Sequence, residues 1–120
     1  MLILMLAAAV SDTDYPHRPW GQVATLSMSA SEATACIARE LDKGGSALVL
    51  PVEGGTDIDW SVDVSWGKRP DAWERFSVRS GGGSTTMTVS YRHPSSVKRV
   101  AKHVDKLAKA CLRIAEMRPA

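Results

Sequence analysis

Residues 57–66 read DIDWSVDVSW and alternate without a break. Ile58, Trp60, Val62, Val64 and Trp66 fall on one side; Asp57, Asp59, Ser61, Asp63 and Ser65 fall on the other. Successive side chains of a strand point to opposite faces, so this segment demands a sheet with one dry face and one wet face. A dry face has to be covered by another layer.

The flanking segments supply the rest of that sheet. Residues 22–28 alternate with Ala24, Leu26 and Met28 inward. Residues 46–52 form a short apolar strand, and Pro51 places it at an edge or an irregularity. Residues 73–80 put Phe76 and Val78 inward and Arg75, Ser77 and Arg79 outward. Residues 84–91 put Met87, Val89 and Tyr91 inward. Gly54-Gly55 and Gly81-Gly82-Gly83 are the turns between strands, while Gly67-Lys68-Arg69-Pro70-Asp71 is a loop.

Two helices cover the dry face. Ser29-Ala30-Ser31-Glu32 is a capping box, in which a serine and a glutamate satisfy each other's backbone amides. The helix it opens buries Ala33, Cys36, Ile37 and Leu41 and stops at Gly44-Gly45. After Pro94, the residues Val97, Val100, Ala101, Val104, Leu107, Ala108, Cys111, Ile114 and Ala115 recur at spacings of three and four. That stripe predicts a second helix about five turns long.

The expected fold is therefore α+β, in the order β-α-β-β-β-β-α. It is a two-layer sandwich with an antiparallel sheet of four to five strands and both helices on one face. Inward parity suggests a register with Trp60 opposite Val78, Val62 opposite Phe76, Asp59 opposite Arg79 and Asp63 opposite Arg75. Around the glycine turn, Val78 meets Met87 and Phe76 meets Val89. The 120 residues suffice for one such domain, expected over residues 21–118.

Cys36 and Cys111 are too far apart in sequence for a CxxC motif. Both lie on helix faces that cover the sheet, so a Cys36–Cys111 disulfide between the helices is predicted. A disulfide belongs to an oxidising compartment. Residues 1–10, MLILMLAAAV, match the apolar region of a secretory signal ending in small residues, although no Lys or Arg precedes them. They are read as a signal-peptide remnant, and residues 11–20 as an extended lead-in. The expected location is periplasmic or secreted.

The candidate chemistry is sparse. His17, His93 and His103 have no ligand spacing between them, so no metal and no cofactor is expected. Asp57, Asp59 and Asp63 are the one carboxylate cluster. With His93 in a cleft they would suit a small hydrolase, but the register pairs them with arginines on an open face. The glycines at 81–83 lack the lysine and the following helix of a phosphate loop.

Two surfaces remain. Trp66 and Trp73 flank Lys68 and Arg69, a recognition rim of aromatics and cations. The last helix carries Lys98, Lys102, Lys106, Lys109 and Arg113. Residues 92–120 hold a formal balance of +6, which leaves −4 on the first 91 residues of a chain whose total is +2. A cationic face of this kind suits an anionic partner. Nucleic acid is disfavoured, because the helix has no interleaved aromatics for base stacking. The expected function is that of a small exported binding domain, non-enzymatic, inhibitor-like or accessory to the envelope, and monomeric. The alternatives are the carboxylate hydrolase and an anionic-polymer or nucleic-acid binder working through the basic helix.

Overall fold

The computed structural model describes residues 17–62, 73–92 and 97–120. Its elements are β1 (Arg18–Leu26), α1 (Ala30–Asp42), β2 (Ser46–Val52), β3 (Gly55–Ser61), β4 (Glu74–Gly81), β5 (Ser84–Tyr91), α2 (Val97–Ala110) and β6 (Ile114–Pro119). The fold is the expected α+β sandwich. All six strands join one antiparallel sheet in the order β2-β3-β4-β5-β1-β6. Both helices lie on its apolar face, and the core between the layers includes Ile37, Ile58, Phe76, Val78, Met87, Val100 and Leu107.

Local signals hold where a specific side chain or turn enforces them. Ser29 accepts from the Glu32 amide at 3.2 Å, and Glu32 accepts from the Ser29 amide at 3.1 Å, closing the capping box that starts α1. Gly82 and Gly83 both have positive φ, 60° and 81°, the pairing required by a tight two-residue hairpin turn. That turn locks Val78 opposite Met87 and Phe76 opposite Val89, as the inward parity requires.

Three expectations need correction. The first is the register of β3 on β4. Trp60 lies opposite Glu74, Ile58 opposite Phe76 and Asp59 opposite Arg75. Each expected partner is displaced by four residues. An even displacement keeps every side chain on its face, so parity cannot detect it. Residues 62–73 separate these two strands in sequence, whereas two-residue turns fix the register of β2 on β3 and of β4 on β5. Close approach of the two strands fits the observed register: Gly55 lies so close to the Val78 carbonyl that a Cβ there would collide with it.

The second is the end of the chain. The apolar stripe predicted helix through Ala115, but α2 stops at Ala110. The Leu107 carbonyl accepts from both Cys111 at 3.0 Å and Leu112 at 2.8 Å, and the chain turns away. Residues Ile114–Pro119 then form β6 along β1. Over so few residues an apolar–polar alternation and a helical stripe look alike. Pairing wins because β1 would otherwise be an edge with unsatisfied amides. The sheet therefore has six strands rather than four or five.

The third concerns β1. It begins at Arg18, inside the expected lead-in, and pairs with both β5 and β6. Its register shifts between Pro19 and Val23, where Gly21 takes a positive φ of 96°. Residues 1–16, with the signal-like run, lie outside the described residues, as do Asp63, Val64 and Trp66 of the expected long strand.

Cys36 and Cys111 form the predicted bond, with Cα atoms 5.9 Å apart. It joins the middle of α1 to the residue just past α2. The bond encloses a loop of 75 positions, and closing a loop of that length stabilises a fold by about 4 kcal/mol in the chain-entropy account. Replacing both cysteines by Ala is therefore expected to lower stability by about 2–4 kcal/mol in urea denaturation. The oxidised wild type should show the same loss on adding reductant, and the double variant none.

Candidate functional site

The site is built on α2. Val100, Val104 and Leu107 bury one face of this helix. Lys98, Lys102 and Lys106 recur every four residues on another and are exposed. At 1.5 Å per residue, the row extends about 12 Å along the helix. None of the three lysines is in an ion pair among the described residues.

The other cations named from sequence are placed differently. Lys109 pairs with Asp105 at 3.0 Å on the exposed surface. Arg113 lies beyond the helix, 3.9 Å from Glu32 of α1. Arg99 turns inward, to a residue the sequence reading passed over.

That residue is Glu74, the first of β4, which has no solvent exposure. One carboxylate oxygen accepts from Arg99 Nε and the other from His103 Nδ1, each at 2.7 Å. A carboxylate only accepts, so the His103 proton sits on Nδ1. Around this clamp stands an aromatic wall. The Arg99 guanidinium lies 5.3 Å from the Trp60 ring and 5.0 Å from the Trp73 ring. The His103 ring meets Trp60 edge-on at 4.7 Å, and Trp60 donates from Nε1 to the Leu41 carbonyl at 3.1 Å. Trp60 therefore touches α1 and α2 through one side chain. Trp73 packs on it at 6.4 Å, half-buried. Trp66, Lys68 and Arg69, the remainder of the expected rim, lie outside the described residues.

Glu74 had a readable signal. It shares inward parity with Phe76 and Val78, and a charge at a core position requires a partner. Arg99 and His103 stand one helical turn apart on the covering helix, the spacing that lets both reach one carboxylate.

Two recesses flank the lysine row. One, of about 410 Å³, lies between the end of α1 and α2 and is lined by residues including Lys43, His103, Lys106 and Lys109. The other, of about 330 Å³, is lined by Arg99, Lys102, His103, Asp105 and Lys106. Glu40 in the first recess is held below the ordinary carboxylate range by its hydrogen bond from Lys43.

The opposite sheet face carries the acidic residues. Asp59 accepts twice from Arg75, at 2.6 and 2.9 Å, and Asp57 accepts from Arg79 at 2.9 Å. Burial pushes the Asp57 carboxyl up, but hydrogen bonds from Arg79 and Ser77 and the nearby arginine charges outweigh it, and it titrates below its usual value. Beside them, burial and the charges of Arg75 and Arg92 push the His17 imidazole below its ordinary value. A carboxylate held ionised is a poor proton donor. Asp63 and His93, the other members of the hydrolase reading, lie outside the described residues. No group of three metal-ligating side chains occurs among the described residues.

Comparison with protein-family models, with curated proteins and with solved structures finds no match.

Two measurements check this geometry. Glu74→Ala leaves Arg99 and His103 without their common acceptor and is expected to lower stability by about 3 kcal/mol. Asp57 has a depressed value, so its contribution is present above the unfolded carboxylate range and is lost as pH falls through the folded value. The stability gap between wild type and Asp57→Asn should therefore narrow between about pH 5 and pH 2. Urea midpoints across that range read it directly.

Proposed function

We propose that the protein is a small exported, non-enzymatic binding domain that engages an anionic partner in the cell envelope through α2. The observation that carries this reading is the row Lys98, Lys102, Lys106: three exposed cations on successive turns, while Arg99 of the same helix is committed to Glu74. Lysine heads on flexible stems suit a partner of distributed negative charge, whereas planar bidentate recognition would use arginine. The recesses beside the row give such a partner relief to fit. The Cys36–Cys111 disulfide supports an oxidising compartment. No helix among the described residues is long and apolar enough to cross a membrane.

Changing Lys98, Lys102 and Lys106 together to Glu tests the reading. Wild type should be retained on heparin and on poly-glutamate resin and should elute with rising salt, because each contact exchanges counterions. The triple variant should pass through both resins with an unchanged unfolding midpoint, since the three side chains are exposed. Equal retention of the two proteins, or retention insensitive to salt, would remove the lysine row as the binding surface.

A further inference from the structure

The sheet has two edges, and they differ. β6 at one edge carries Glu116, Arg118 and Pro119. β2 at the other reads SALVLPV and has no charge. Five large apolar side chains are exposed among the described residues, and three belong to β2: Leu48 at 58%, Val49 at 42% and Val52 at 37%. The pairing of β2 with β3 runs unbroken from Ser46 opposite Ser61 to Val52 opposite Gly55, with no bulge to twist the edge away. Natural edges are blunted by charge, bulges or proline. Here Pro51 interrupts one end and the Asp42 carboxylate caps the Ala47 amide near the other, which leaves the middle of the strand at Val49 open.

The hairpin indicates which backbone groups face outward. Val52 and Gly55 close a two-residue turn, so they exchange ladder bonds, and bonded pairs then alternate along the strand. Leu48, Leu50 and Val52 face their backbone groups to β3. Ala47, Val49 and Pro51 face theirs outward; Pro51 has no N–H and the Ala47 amide donates to the Asp42 carboxylate at 3.0 Å, which leaves the Val49 amide as the outward donor of the strand.

We infer that this edge pairs with the same edge of a second copy, antiparallel, about a two-fold axis at Val49. The strand is nearly palindromic about that residue, with Leu48 and Leu50 on either side and Ala47 and Pro51 beyond them. In such a pair Val49 of each copy exchanges both backbone bonds with Val49 of the other, while each Ala47 amide keeps its bond to the Asp42 carboxylate of its own chain. Leu48 meets Leu50 of the other copy at the closer, non-bonded positions on the open face. An isologous contact needs a self-complementary surface without like charges, and an uncharged near-palindrome supplies it. The lysine row of α2 takes no part, so the dimer stands independently of the proposed function. It replaces the monomer expected from the sequence.

The full chain is examined by sedimentation velocity over a dilution series, alongside Val49→Lys and Val49→Glu. Wild type should dimerise reversibly. Each variant should associate about tenfold more weakly or not at all, because two like charges meet at the axis. An equimolar mixture of the two variants should recover the dimer, which a merely misfolded variant cannot do. Wild type that stays monomeric at its highest soluble concentration overturns the inference. So does a dimer indifferent to both variants, or a mixture that fails to recover.

Discussion

Glu74 enters the core from β4 and is held there by two side chains of α2. A full charge without solvent exposure is tolerable only if its oxygens are occupied, and Arg99 and His103 occupy one each at 2.7 Å. The requirement is directional. It sets the rotation of α2 about its axis, since Arg99 and His103 must both face β4. It also sets the register of β3 on β4, since Trp60 opposite Glu74 provides the wall against which Arg99 and His103 pack. Apolar burial alone would tolerate sliding and rotation of the helix. The buried carboxylate does not.

The same clamp shapes the outer surface. Lys98 and Arg99 are neighbours in sequence but about 100° apart around a helix of 3.6 residues per turn. Because Arg99 faces inward, Lys98, Lys102 and Lys106 must lie outward in one line. On the far side of the sheet, Asp57 and Asp59 are neutralised by Arg79 and Arg75. The −4 carried by the first 91 residues already counts these two arginines, and one of its remaining acids, Glu74, is paired with Arg99 of α2. The charge asymmetry of the molecule is concentrated on the helical layer, where the exposed cations have few acids near them.

Much of this was legible in the residues. Ala33, Cys36, Ile37 and Leu41 of α1 are all buried as the capping box and apolar spacing imply, and the disulfide joins the two expected thiols. What parity can determine, it determined: Ile58, Trp60, Phe76, Val78, Met87 and Val89 all face the core. What parity cannot determine was displaced. The β3–β4 register moved by an even number, and Asp59 exchanged Arg79 for Arg75. Ile114 and Ala115 continued a helical stripe that the end of α2 interrupts. Glu74 was passed over although it lies within the strand read over residues 73–80 and its parity with Phe76 placed it inside. The lysine row was visible, but which cations of α2 are spent on the core became apparent only with Glu74.

The two sheet edges follow from one topological choice. Strands β2 to β5 run as a meander, so β2 is left at its outer side, with no further strand beyond it among the described residues. β1 comes first in the chain and pairs with β5, leaving its own far side open until β6 arrives from the end of α2. The disulfide places the start of that return: Cys111 is fixed to α1, and Arg113 then donates its amide to Met28 Sδ while its carbonyl accepts from Ser27. One edge is therefore closed by the chain itself and carries charge where it meets water. The other turns the Val49 amide outward beside exposed leucine and valine. A fold that finishes one edge with a dedicated strand and leaves the other apolar, regular and uncharged has its remaining hydrogen-bonding capacity at β2.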